Sequence, residues 1–347
     1  MKQVVSDIIQ FRGTHYDFGY YQGELLQSSP ILARRKKQWD ARSQARHFII
    51  DKQKIEHVFE RFSSGIWQEL LGLADALEMD VETAIREFGG YYLEYGKSGC
   101  SIFTGNGFLI RNYDNDPISY EGRYVVYEPT DGGYATIGPS MQITGRTDGL
   151  NEKGLAIGYN FVNRLRSDDG FVCNMIGRIV LENCATVDEA VELLKDLPHR
   201  NSFTYVLLDK LGKSIVVEAS ANDVLTREGM ICTNHFEKLT KENRYRMDDS
   251  LERYEAISSQ QQSVESPYDA FRLLNDTDKG IFSKKYGAWA GTIHTTAYLP
   301  KKMQAWIGLG GDRLPLILDF NKWLKGKRMN AKQIKGQLES TNGFINR

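Results

Sequence analysis

The chain has 347 residues, of which 41% are hydrophobic and 26% charged, with 44 basic side chains against 45 acidic ones. This is the composition of a globular protein with room for one large domain or two ordinary ones, and its balanced charge offers no one-signed field for nucleic acid or anionic lipid. No stretch approaches the roughly 18 apolar residues of a membrane span, so neither nucleic acid nor membrane is expected as a partner.

Residues 1 to about 97 read as helical, rich in Glu, Gln, Lys, Arg, Leu and Ala with apolar residues at helical spacing. The segments are DFGYYQGELLQ, then SSPILARRKKQWDARSQARHF with Pro30 near a helix start, then VFERFSSGIWQELLGLADALEM. The ARRKK run reads as a solvated helix face. Charges and glycine interrupt the opening MKQVVSDIIQFRGTHYDFGY before any signal-length apolar run, so the expected location is cytoplasmic.

From Cys100 onward the pattern changes to strands and turns. SIFTGNGFLIRNY reads as a hairpin closed by Asn106-Gly107, and TDGLNEKGLAIGYNF as a second hairpin. MIGRIVLENCATVDEAVELLKDL is helical, with Thr186 and Glu189 as a capping box that starts a second helix. SFTYVLLD and KSIVVEAS are strands, NRYRMDDSLERYEAIS and SPYDAFRLLND helices, and GTIHTTAYL and MQAWIGLG strands again. There is no repeat or low-complexity linker, and the class is α+β.

The four cysteines, Cys100, Cys173, Cys184 and Cys232, form no CxxC pair, and the six histidines make no HExxH or HxxxH spacing. No metal or other cofactor is expected, and Cys173, Cys184 and Cys232 read as structural thiols. Cys100 differs by its surroundings. With Asn106-Gly107 as the turn, Ile102 faces Arg111 and Cys100 faces Tyr113, which puts Arg111 diagonally from Cys100 on the same face. A guanidinium beside a thiol favours the reactive thiolate. Asp114 falls beyond the paired region and by alternation points away, so a bend or bulge is expected to turn it inward if it acts. On these residues alone Cys100 could equally be a small core residue and RNYD a strand end with a solvated charge pair. Asn160 in GYNF could cap a strand, and Asn234 in TNHF could form an Asx turn.

Taken in order, GTHYDFGYYQGELL, GCS, RNYD, DGLNEKGLAIGYNF, ATVDEAVELLKDL, SIVVEAS and CTNHF resemble the choloylglycine-hydrolase and penicillin-acyltransferase superfamily of N-terminal-nucleophile enzymes. The resemblance implies a four-layer αββα fold, two stacked antiparallel sheets between helices. It implies a helical propeptide segment over residues 1–99, retained as a second chain after cleavage, and a catalytic core over residues 100–347. Cys100 matches the nucleophile, released by self-cleavage between Gly99 and Cys100, and its freed α-amine would be the general base. Arg111 and Asp114 match the residues that orient thiol and amine, Asn160 and Asn234 those that help hold the oxyanion, and Arg253 in SLERYEA a late arginine. The spacing from Cys100 to RNYD is shorter than in bile-salt hydrolases, which a tight hairpin turn accounts for. Tyr91, Tyr92 and Tyr95 of GGYYLEYG, which leads to the cleavage site, pack the core or line an acyl pocket.

The activity implied is hydrolysis of a linear, non-peptide C–N amide in a small N-acylated molecule, or acyl transfer through the same thioester. Penicillin acylases and choloylglycine hydrolases are the models. A homo-oligomer is compatible with the composition. Two other readings stand beside it: a papain-like Cys–His thiol hydrolase using His235 or His294 without self-cleavage, and a non-catalytic binding protein of the same fold.

Overall fold

Strand side chains alternate between two environments, and that alternation builds the layers. The computed structural model describes residues 1–33, 50–91, 99–163, 167–287, 290–340 and 344. One sheet has the order β12 (Ile231–Cys232), β2 (Ser101–Gly105), β3 (Phe108–Asn115), β13 (Gly291–Leu299), β14 (Gln304–Leu309) and β15 (Leu316–Asp319). The larger sheet has the order β11 (Val224–Arg227), β10 (Ser214–Ala219), β9 (Ser202–Asp209), β8 (Leu155–Asn163) and β7 (Asp148–Asn151). It continues through β5 (Thr136–Met141), β4 (Arg123–Pro129), β1 (Lys2–Gly13) and β16 (Gln333–Leu338), with β6 (Gly145–Arg146) pairing β5 off this path.

Ile102 and Leu109 of the smaller sheet meet Val126, Ala156, Val206 and Leu208 of the larger one in an apolar layer between them. One residue along, Phe103 and Ile110 reverse and pack beneath helices α6 (Asp248–Ser258) and α7 (Pro267–Asn275) through Ile257, Phe271 and Leu274. Ile157, Tyr205 and Leu207 reverse on the other side. They pack beneath α4 (Cys173–Asn183) and α5 (Val187–Asp196), together with N-terminal helices α2 (Lys52–Ala76) and α3 (Val81–Phe88). The period of two in the sequence therefore yields helix, sheet, sheet, helix, the expected four layers.

Three expectations need correction. Residues 2–13 are not helical: Val4, Val5, Ile8 and Ile9 carry a strand whose one neighbour is β16 and whose other is β4. β-branched residues favour a pleated, half-buried surface over a helix. The second correction follows from it. β1 runs parallel to β4, from Asp7 opposite Arg123 to Gly13 opposite Pro129, so the larger sheet is mixed and not purely antiparallel. The third is that helix α6 begins only at Asp248, leaving Asn243–Met247 outside it. Arg34, Arg35, Lys36, Lys37, Tyr92 and Tyr95 lie outside the described residues. The capping box is present in altered form: Thr186 caps Glu189, while the Glu189 carboxylate accepts from the N–H of Ala185.

A buried polar chain joins the N-terminal helices to the rest. Gln22 of α1 (His15–Gln27) donates to Glu69 of α2 at 2.6 Å and accepts from Arg123 of β4 at 3.0 Å. Arg178 of α4 pairs with Glu69 at 2.7 Å and also with Glu182, and Glu182 in turn faces His15. Among the described residues no helix is long and apolar enough to cross a membrane, and no group of three or more His, Cys, Asp or Glu could hold a metal ion.

Candidate active site

Asn106 and Gly107 close the hairpin, with Gly107 at φ +81°, the left-handed backbone such a turn needs. The register pairs Ser101 with Asn112 and Ile102 with Arg111. Cys100 therefore stands at the entry to β2, fully buried in the layer between the sheets. Along β3, Leu109 and Tyr113 point into that layer, while Ile110 and Asn112 point to the helical side, where Asn112 donates to the Leu274 carbonyl.

Arg111 shares the inward face. Its Nη2 donates to Cys100 Sγ at 3.2 Å, and Nη2 and Nε both donate to the Tyr159 carbonyl, at 2.7 and 3.0 Å. Nη1 pairs with Asp148 Oδ2 at 3.2 Å, with both side chains fully buried. Sγ also accepts from the Asp114 backbone N–H at 3.4 Å. A cation and an N–H at these distances stabilise negative charge on sulfur. Gly158 of β8 leaves the room this requires, since a Cβ there would sit 3.1 Å from Arg111 Cδ.

Asp114 occupies the opposite face, as alternation predicts, and the inward turn expected of it does not occur. The bulge lies instead in β13, between Thr292 and His294, so that Thr292 stands opposite Asp114 and His294 opposite Tyr113. Thr292 Oγ1 donates to Asp114 Oδ1 at 2.7 Å. The Gly99–Cys100 junction comes to the carboxylate: a Cβ built on Gly99 would lie 3.3 Å from Asp114 Oδ2 and 3.7 Å from Arg253 Nη2. Burial pushes the Asp114 carboxyl up to about 7, against the opposing pull of the Arg253 charge and the Thr292 hydroxyl.

Arg253 of α6 reaches the same junction. Its Nη1 donates to the Cys100 carbonyl and to Ser101 Oγ, both at 2.7 Å, and its Nη2 to Asn234 Oδ1 at 2.9 Å. Asp249, one helical turn earlier, holds the guanidinium at 3.0 Å. Asn234 is thereby oriented with Nδ2 on the Phe161 carbonyl at 2.7 Å. Asn160 Nδ2 donates to the carbonyls of Cys232 and Thr233, at 2.9 and 3.2 Å. Both amides thus tie the β12 region to β8, and these bonds direct their N–H groups at main-chain carbonyls.

The two histidines are placed differently. His235 Nδ1 bonds Thr233 Oγ1 at 3.1 Å and Ser250 Oγ at 2.9 Å, and burial lowers its pKa. His294 stacks on Tyr113 with centroids 4.9 Å apart, and burial pushes it down to about 4. Tyr113 stands in β3, between the Cys100 side of the hairpin and His294 in β13. Neither imidazole makes a hydrogen bond to Sγ among those described. Cys173, Cys184 and Cys232 are buried free thiols.

Sequence reasoning missed Asp148 and Thr292. The signal for Asp148 was a carboxylate inside TDGL, a run whose flanking pattern buries every residue; a buried carboxylate needs a cationic or multiply donating partner. Thr292 gave no such signal.

A family model, acyl-coenzyme A:6-aminopenicillanic acid acyl-transferase, matches residues 102–314, more than half of the chain. No curated protein sequence matches. Among solved structures, penicillin V acylase from Agrobacterium tumefaciens is similar at 18% identity and TM-score 0.44, over 65% of this chain and 86% of that one. A variant of conjugated bile acid hydrolase from Clostridium perfringens is similar at 15% identity and TM-score 0.47, over 71% and 98%. A Caenorhabditis elegans ortholog of N-acylethanolamine-hydrolyzing acid amidase is similar at 15% and 0.40, over 59% and 93%.

Proposed function

Because the chain belongs to the acyl-coenzyme A:6-aminopenicillanic acid acyl-transferase family, we propose that it is a self-processing cysteine amidohydrolase or acyltransferase with Cys100 as its N-terminal nucleophile. The observation that carries this reading is the convergence of three side chains on Gly99 and Cys100. Arg111 lies on Sγ, Asp114 beside Gly99, and Arg253 on the Cys100 carbonyl.

In maturation, Cys100 Sγ adds to the Gly99 carbonyl carbon and the Gly99–Cys100 C–N bond breaks, with the nitrogen taking up a proton. The result is a thioester of Gly99 on Sγ and a free α-amine on Cys100. Water then hydrolyses the thioester, releasing the Gly99 carboxylate and regenerating the thiol. Asp114 lies where the new α-ammonium forms and supplies its countercharge. An unperturbed α-amine has a pKa of about 7.7–8.0, suited to taking the thiol proton near neutrality. Turnover repeats the chemistry on a linear amide: sulfur attacks, the amine leaves with a proton from the α-ammonium, and water or a second amine accepts the acyl group. Asn160 and Asn234 border this centre. Asn160 directs both amide hydrogens at carbonyls, so cleavage must free one for it to serve the oxyanion, whereas Asn234 directs one at the Phe161 carbonyl and carries a second; each such donor is worth about 2.7–4 kcal/mol. We propose further that residues 1–99 stay bound after the cut. The substrate class is small N-acylated molecules.

Intact-mass measurement of the purified chain tests this. Two fragments split at Gly99/Cys100, with Cys100→Ala leaving one chain, support it, as does a mass adduct of an acyl group on Cys100 with N-acyl amides. An uncut wild-type chain whose amidase activity depends on His294 or His235 would overturn it in favour of a Cys–His enzyme. An uncut chain that forms no acyl-enzyme would point to a binding protein.

A further inference from the structure

Arg111 is a planar cation with five N–H donors, and the structure fixes three sides of it. Nε–H and one Nη2 hydrogen go to the Tyr159 carbonyl, and Nη1 goes to Asp148, which leaves the second Nη2 hydrogen directed at Cys100 Sγ. Asp148 thus holds the Nη1 end, and its loss lets the plane tilt about the Tyr159 contact. Asp148 is itself immobilised. Its Oδ1 accepts from Thr147 Oγ1 and Tyr298 OH, both at 3.0 Å. Its Oδ2 accepts from Thr296 Oγ1 at 2.9 Å as well as from Arg111. Thr296 lies directly opposite Arg111 across β13 and β3, and Asp148 belongs to β7 of the other sheet. The carboxylate is thus a fully buried clasp between the two sheets, placed one guanidinium away from the thiol. A carboxylate saturated by four donors does not move, and neither does the arginine it holds.

We propose that Asp148 is a positioning residue that sets the reactivity of Cys100 solely through Arg111. The proposal rests on Cys100 being the nucleophile, and it separates from two simpler roles by sign. Were Asp148 only a nearby negative charge, its removal would favour the thiolate and make Cys100 react faster at low pH. Were it only structural, its removal would lower stability and leave the pH profile of the thiol where it was. As a positioning residue, its removal lets Arg111 drift from Sγ, so the thiolate is lost and the profile moves to higher pH.

The experiment is alkylation of Cys100 by iodoacetamide across pH, read by peptide mass spectrometry on the purified chain, whichever way it is processed. Asp148→Asn is expected to move the inflection upward, slowing alkylation about tenfold below it, the equivalent of one pKa unit. Arg111→Met is expected to do the same, and Asp148→Asn added to Arg111→Met to do nothing more. Should Asp148→Asn fail to fold, Thr296→Val, Tyr298→Phe and Gly158→Ala are read instead. The first two loosen the carboxylate and the third crowds Arg111 Cδ, and each is expected to move the inflection in the same direction by a smaller factor. A downward shift, an unchanged inflection, or equal effects of Asp148→Asn with and without Arg111 would each overturn the proposal. Self-cleavage is followed in parallel: an uncut, acyl-free wild type would sink the functional reading, while the alkylation series still decides the coupling of Asp148 to Arg111.

Discussion

Replacing Asp114 by asparagine in a chain that cannot cut itself isolates what this carboxylate does before maturation. In the Cys100→Ala background, the side chain keeps its place beside Gly99, with Thr292 on one oxygen. Burial raises its pKa from the ordinary 3.8 to about 7. A carboxyl group raised on folding binds more protons in the folded than in the unfolded state between those two values. Stability therefore declines as pH rises through that window, by about 1.4 kcal/mol per unit, and the full penalty of about 4 kcal/mol is present above pH 7. Below the unfolded pKa the penalty is absent. Asp114→Asn cannot ionise, so the doubly substituted chain is expected to be the more stable one at pH 8, by about 2–4 kcal/mol, with the two converging near pH 4. Urea denaturation at several pH values between 4 and 8 measures the difference directly. Once the wild type has cut itself as proposed, the new α-ammonium would neutralise the carboxylate, and the slope is expected to flatten. Parallel pH slopes for Cys100→Ala with and without Asp114→Asn would refute the idea that a desolvated charge faces the junction.

Arg253→Lys is expected to slow self-cleavage about a hundredfold, because a single ammonium cannot serve the Cys100 carbonyl, Ser101 and Asn234 at once; a cleavage time course on denaturing gels reads it. Gly99→Ala puts a methyl 3.3 Å from Asp114 Oδ2, tight but not impossible, and should lengthen the cleavage half-life roughly tenfold while leaving the fold intact by circular dichroism. Arg178→Met leaves Glu69 and Glu182 buried without their cation and is expected to cost about 3–5 kcal/mol in urea unfolding. His294→Phe keeps the stack on Tyr113 and removes two ring nitrogens that have no hydrogen-bond partner among the described residues; activity within about threefold of wild type is expected, and its abolition would favour a Cys–His mechanism.

The hairpin was legible in the sequence because Asn106-Gly107 fixes its register and the register fixes which side chains share a face. That sufficed to bring Arg111 to Cys100. Alternation also put Asp114 on the far face, and only the assumption that it must act from the thiol's side went astray; the chain brings Gly99 and Arg253 to Asp114 instead. Asp148 was legible only as a carboxylate in a run that buries every residue, because its partners Arg111, Thr296 and Tyr298 come from β3 and β13, far away in sequence, and no local spacing encodes them. Arg253 was a loose match on sequence and became a direct contact, for the same reason in reverse. The strand at residues 2–13 escaped although Gly13 and the Thr14 cap of helix α1 mark its end, because a parallel partner such as β4 leaves no hairpin to betray it. Strands β4, β5 and β16 went unassigned for want of a sustained pattern.

The position of β1 bears on what a cut at Gly99 can mean. In the larger sheet β16 pairs with β1 and lies at the edge beyond it, while β4 lies on the other side of β1. Were the first 99 residues to depart, the C-terminal strand would lose the rail it is stitched to, and β4 would present a raw edge to the next molecule. Cleavage can therefore act as a nick in a closed seam but not as the shedding of a wrapper. It would move a chain end from the periphery to the centre of the fold, and expression of residues 100–347 alone should give an aggregating chain, which co-expression with residues 1–99 repairs.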